Sequence, residues 1–125
     1  MPGSCNRRFG LRDGSGRTWQ NHENPDVVRA DLADWDESWV GLFEGVDTVI
    51  HLAATPSEQT SWEGLVRSNL DALCNVFNAA ALAGVERVIY ASSNHAMGGY
   101  REFGDQPITV DLPPKPGNPY GAAKL

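Results

Sequence analysis

Basic clusters are missing from this sequence: its 10 lysines and arginines are scattered among 16 acidic residues, for a formal charge of −6. Such a chain repels phosphate backbones and anionic lipid, which argues against nucleic acid and membranes as partners. A long apolar run is missing too. The first twenty residues are polar and carry Arg7, Arg8, Arg12 and Arg17, so they supply neither the core of a signal peptide nor a membrane span. A cytoplasmic protein is expected. Cysteine is scarce: Cys5 and Cys74 lie far apart with no metal-type spacing, so neither a disulfide framework nor a metal centre is expected. Cys74 reads as a buried helix residue. Repeats and low-complexity segments are absent, and 125 residues leave room for one domain with one core.

What is present is ordinary globular material, 41% hydrophobic and 21% charged. Asp26 to Ala30 reads as a short strand. A helix follows to about Gly45, opened by an Asp34/Glu37 capping box and apolar on the side of Trp35, Trp39, Leu42, Phe43 and Val46. Thr48 to Leu52 and Arg87 to Ala91 are apolar enough for strands covered on both faces, as in a parallel sheet. Between them a long helix is expected from about Ser61 to Leu82, with Leu65, Val66, Leu70, Leu73, Val76, Phe77 and Ala80 as its stripe and Gly84 ending it. Alternating strands and helices indicate crossover units of a doubly wound α/β sheet. A long loop follows Ala91, with Pro107, Pro113, Pro114, Pro116 and Pro119, and another helix begins at Pro119. The N-terminal twenty residues are hardest to place; Arg8 to Asp13 reads as an edge strand weakened by Gly10.

Two groups of residues could do chemistry. Tyr120 and Lys124 stand four apart at a helix start, so their side chains share a face. A phenol is a poor base at neutral pH, and an adjacent ammonium makes its ionised form easier to reach. Alone, the pair reads first as a half-buried tyrosine beside a solvated lysine. Ser92-Ser93-Asn94-His95 directly follows a strand, where the carboxyl ends of parallel strands form the ligand crevice. Strand-end capping by the serines is the competing reading.

Taken in order, His51-Leu52-Ala53-Ala54, Asn69, Asn75-Val76-Phe77-Asn78-Ala79-Ala80, Ala91-Ser92-Ser93 and Pro119-Tyr120-Gly121-Ala122-Ala123-Lys124 resemble the landmarks of the extended short-chain dehydrogenases, the NAD-dependent epimerase/dehydratase family. The resemblance implies that Tyr120 is general base and acid, that Lys124 is its activator and a ribose ligand, and that Ser93 holds the reacting oxygen. Ser93 is preferred to Ser92 because the family's active serine precedes a glycine by five positions, here Gly98. By the same resemblance Asp31 and Leu32 bind adenine, Ala53 and Ala54 let the cofactor approach, and Asn69 supports the active-site backbone. The competing reading of Asn69 is an asparagine on a wet helix face. Ser93-Asn94-His95 resembles the uronate dehydrogenase branch, where this tripeptide contacts the sugar; the family's dehydratases carry an Asp-Glu pair instead.

The implied protein is an NAD-dependent oxidoreductase acting on a sugar or sugar-acid hydroxyl. A nucleotide-sugar epimerase is one alternative, and an inactive fragment or a non-catalytic, cofactor-sensing relative is another. The resemblance also implies homodimer contacts through the Ser61 to Leu82 helix, with Leu65 and Phe77 as candidate outward residues that could equally lie against the sheet, and through the helix at Tyr120. NADP remains open, because the ribose-reading residue falls in the N-terminal stretch, where Asp13 is the candidate. The family's Gly-x-x-Gly-x-x-Gly turn has no match, since Gly10, Gly14 and Gly16 have the wrong spacing. The expectation is therefore a partial Rossmann-like doubly wound sheet over residues 1–125, truncated at both ends, without its first strand and C-terminal lobe.

Overall fold

The computed structural model describes residues 28–104 and 107–125. The readings made for Cys5, Arg8 to Asp13 and the early glycines lie outside them. The expected strand at Asp26 to Ala30 falls partly outside, and 28–30 carry no strand, having no partner strand among the described residues.

The first helix is shorter than expected: α1, Glu37–Val40, tightens into a 3-10 turn, Gly41–Phe43. Its cap is Asp36, whose carboxylate accepts from the Ser38 amide at 2.6 Å, rather than the Asp34/Glu37 box. Those hydrogen bonds hold the Asp36 carboxyl below its ordinary pKa. Trp35 precedes the cap, so helical spacing does not govern it, and it stays 43% exposed while Trp39 and Phe43 are buried. Trp39 meets Phe43 edge-on, with centroids 5.9 Å apart, and its indole N–H donates to the Asp34 carbonyl.

Strand β1, Thr48–His51, pairs in parallel with β2, Arg87–Tyr90, in the register Val49 opposite Val88 and His51 opposite Tyr90. The connection is one helical run over 62–82: α2 (Trp62–Leu65), a π-helical segment (Val66–Asp71) and α3 (Ala72–Leu82). Ser61 caps it by accepting from the Gly64 amide, and Gly84 follows it at φ +69°, a left-handed conformation that glycine adopts without strain. This β–α–β unit is the building block of the Rossmann-like α/β fold.

Alternation along the strands sends Val49 and Val88 toward α3, where Leu32, Trp39, Phe43, Ala72, Val76, Ala79 and Ala80 form the main core. The opposite face holds Ile50, Leu52 and Ile89, which are 63%, 69% and 47% exposed. This corrects the reading of strands covered on both faces, because the described helices lie on only one side. One helix expectation is corrected as well: Cys74 is exposed. Of the two candidate outward residues, Leu65 is fully buried against Tyr120 and Ala123 in a second, smaller cluster. Phe77 does face outward, at 44% exposure.

The long segment after β2 is less irregular than its prolines suggest. Residues Asn94–Phe103 wind as a 3-10 stretch, and α4, Pro119–Ala122, opens with Asn118 as cap and Pro119 in its first turn.

Candidate functional site

The carboxyl end of β2 gathers Ser92, Ser93, Asn94 and His95, and α4 brings Tyr120 and Lys124 against them. Three contacts dock the helix. The Ser92 hydroxyl donates to the Lys124 carbonyl at 2.6 Å. The His95 ring meets the Tyr120 ring edge-on, with centroids 5.3 Å apart. Gly121 lies so close to the His95 backbone that a β-carbon there would run into the His95 carbonyl. The residue between tyrosine and the alanines must therefore be small for α4 to seat.

Tyr120 and Lys124 are both buried, at 7% and 3% exposure. The solvated-lysine reading of the pair does not hold. The Lys124 ammonium lies 4.4 Å from the centre of the Tyr90 ring, a cation–π contact, and has no carboxylate partner among the described residues. Burial lowers the Lys124 pKa from its ordinary value. Tyr90 in turn stacks on His51, with centroids 5.8 Å apart. Burial first, and Tyr120 second, raise the Tyr90 pKa, while burial and then the Lys124 charge lower that of His51. Tyr90's buried hydroxyl has no hydrogen-bond partner among the described residues.

Ser93 sits where the strand gives way to the 3-10 stretch. Its hydroxyl accepts from the His95 amide at 3.2 Å and donates weakly to Asn94 Oδ1 at 3.4 Å, so it does cap this turn. His95 Nδ1 lies 3.0 Å from Asn118 Nδ2 and 3.5 Å from Glu58 Oε2.

The end of β1 forms the second wall. Ala53 and Ala54 put nothing larger than a methyl group there, and the chain bends at Ala54. Asn69, 2% exposed, accepts from the Thr55 amide at 2.8 Å and donates to the Thr55 carbonyl at 3.2 Å. The wet-face reading of Asn69 is thereby excluded. The π-helical segment carries both Asn69 and Arg67; such departures from α-helix recur at functional sites. Ser68 steadies Asn69 by donating to its Oδ1 at 2.9 Å.

Asp31 and Leu32 lie apart from Tyr120, on the turn before α1. The Asp31 carboxylate accepts from the Ala33 amide, and Arg67 bridges Asp31 and Asp34 at 2.9 Å each. Those two acids, Asp34 first, raise the Arg67 pKa. Leu32's side chain lies in the core and its carbonyl and that of Ala33 accept from Asn75 at 2.9 and 3.1 Å, so this turn offers a ligand chiefly the Leu32 amide and the exposed Asp31 side chain.

Sequence reasoning missed Glu58, Arg67, Tyr90 and Asn118. Asn118 had a signal, since asparagine followed by proline is a helix-start pattern. Ser92 was weighed only as an alternative to Ser93. Nothing in the sequence marked Glu58 or Arg67, whose partners are distant along the chain.

Among known proteins, residues 9–125 match the family model described as NAD dependent epimerase/dehydratase family. The chain is 37% identical over 99 residues to a uronate dehydrogenase of Pseudomonas putida, covering 79% of this chain and 35% of that protein. It is 34% identical over 113 residues to the NAD-dependent glucose-6-phosphate dehydrogenase of Haloferax volcanii, covering 82% of this chain and 42% of that one. The solved UDP-N-acetylglucosamine 4-epimerase of Methanobrevibacter ruminantium superposes with a TM-score of 0.73 at 26% identity, over 94% of this chain and 39% of the epimerase. The chain thus spans less than half the length of these relatives.

Proposed function

Because the chain belongs to the NAD dependent epimerase/dehydratase family, we propose that it carries the reaction centre of an NAD-dependent dehydrogenase acting on a sugar or sugar-acid hydroxyl. The observation that supports this most is the joint burial of Tyr120 and Lys124 beside Ser92 and His95 at the end of β2.

The described residues suit the cofactor at its nicotinamide end. A buried ammonium without a carboxylate partner is a donor for ribose hydroxyls, and Ala53 and Ala54 allow close approach to β1. Asp31 and the Leu32 backbone are the groups suited to adenine. When bound, NAD supplies the hydride acceptor. Tyr120 takes the proton from the substrate hydroxyl, with Lys124 as its activator. Ser93 donates a hydrogen bond to the reacting oxygen. Asn94 and His95 hold the sugar, and Asn69 keeps the Thr55 backbone in place under it.

Hydride return to the opposite face of the substrate would make the same centre an epimerase, a reading supported by the likeness to the M. ruminantium enzyme. Exposed Phe77 on α3 supports pairing of two copies through that helix. Incubation with NAD and a panel of uronic acids, aldoses, hexose phosphates and nucleotide sugars separates the readings. Net NADH formation with a free or phosphorylated sugar is expected. Epimerised nucleotide sugar without net NADH would establish the epimerase, and neither product would reject both.

A further inference from the structure

We infer that Asn118 is a positioning residue that sets the tautomer of His95, so that the imidazole presents an Nε2–H donor to the substrate. The inference deepens the proposed function and rests on its assignment of His95 to the sugar. Asn118 has three polar contacts, and together they use its whole amide. Its Oδ1 accepts from the Gly121 amide at 2.7 Å, which caps α4. That bond fixes which way the amide faces, since the reversed orientation would set Nδ2 against an N–H. The two Nδ2 hydrogens are then directed to Glu58 Oε2 at 3.1 Å and to His95 Nδ1 at 3.0 Å.

A donor facing His95 Nδ1 requires that nitrogen to be the acceptor. In a neutral imidazole the proton then resides on Nε2. The competing partner for Nδ1 is Glu58 Oε2, which would favour Nδ1–H, but it is farther away at 3.5 Å and already accepts from Asn118. The same asparagine therefore caps the helix that carries Tyr120 and orients the hydrogen-bonding sense of His95. A ring that donates from Nε2 selects a substrate oxygen with a free lone pair, such as a carboxylate or ring oxygen.

Two-bond nitrogen–proton correlation spectra of the imidazole rings read the His95 tautomer directly and need no turnover. Wild-type protein should show His95 as the Nε2–H form. Asn118→Asp keeps an oxygen to cap α4 but replaces the donor with an acceptor, and should convert His95 to the Nδ1–H or doubly protonated form. Asn118→Ser keeps a cap without reaching His95, and should weaken the Nε2–H preference. An Nδ1–H ring in the wild type, or an unchanged Nε2–H ring in Asn118→Asp, would overturn the inference whether or not any sugar is oxidised. Where a sugar is oxidised and Asn118→Asp leaves His95 in the Nδ1–H form, which has no Nε2–H to donate, KM should rise about tenfold, the loss of one hydrogen bond, with a smaller change in kcat. An unchanged KM alongside a switched tautomer would remove His95 as the substrate's donor.

Discussion

The ammonium of Lys124 lies 4.4 Å from the centre of the Tyr90 ring, so β2 supplies an aromatic floor for the lysine that follows α4. That floor needs the ring and not the hydroxyl, which is buried without a partner among the described residues. Tyr90→Phe should leave thermal stability unchanged or raise it, by up to about 1 kcal/mol, because an unpaired buried hydroxyl is removed. Tyr90→Leu should lower it, since the stack on His51 and the cation–π contact both disappear. Equal losses in both variants, measured by thermal unfolding, would mean that the hydroxyl contributes after all.

His51 predicts a pH dependence. Burial first and the Lys124 charge second hold its pKa below the ordinary 6.5, so the unfolded chain gains this proton before the folded one. Its contribution to stability is complete above 6.5 and is lost as pH falls through 6.5 toward the folded value. His51→Gln should therefore flatten the fall in stability between about pH 7 and about pH 5 relative to wild type. Parallel curves for the two proteins would contradict this.

Asn69→Ala leaves both Thr55 backbone groups without their partner, and should cost about 1–3 kcal/mol in denaturant unfolding. Asn69→Asp keeps the bond to the Thr55 amide and loses the one to its carbonyl, so its loss should be intermediate if the clamp acts as described.

Gly121→Ala places a methyl group into the His95 carbonyl. Either α4 or the 94–103 stretch must then shift, with an expected cost of about 1–3 kcal/mol. Chemical-shift changes should extend to His95 and Ser93; changes confined to α4 would show that the close approach is not needed.

The helical run over 62–82 was legible from its periodic apolar stripe between Ser61 and Gly84, and the two strands from their short, continuous apolar runs. The shortening of α1 was not, since Trp35 fits the helical spacing yet lies outside the cap at Asp36. Nor was the bare face of Ile50, Leu52 and Ile89, because strand composition reports what a strand is suited to lie beneath, not what covers it. At the candidate site, Tyr120, Lys124, Ser93 and His95 were each singled out from local spacing and family landmarks. Their fixing by Glu58, Ser92, Asn118 and Gly121 depends on the docking of α4 against the end of β2, which separates partners by up to 60 positions. The same limit hid Arg67, which lies 33 and 36 positions from the acids it bridges.

The central claim is that Tyr120 moves the substrate proton. Sugar-dependent NADH formation should be compared between the wild-type protein and Tyr120→Phe, with thermal unfolding and NAD affinity measured on both. Turnover should fall about a hundredfold or more in a variant that stays folded and still binds NAD. Turnover near the wild-type rate in Tyr120→Phe would contradict the claim.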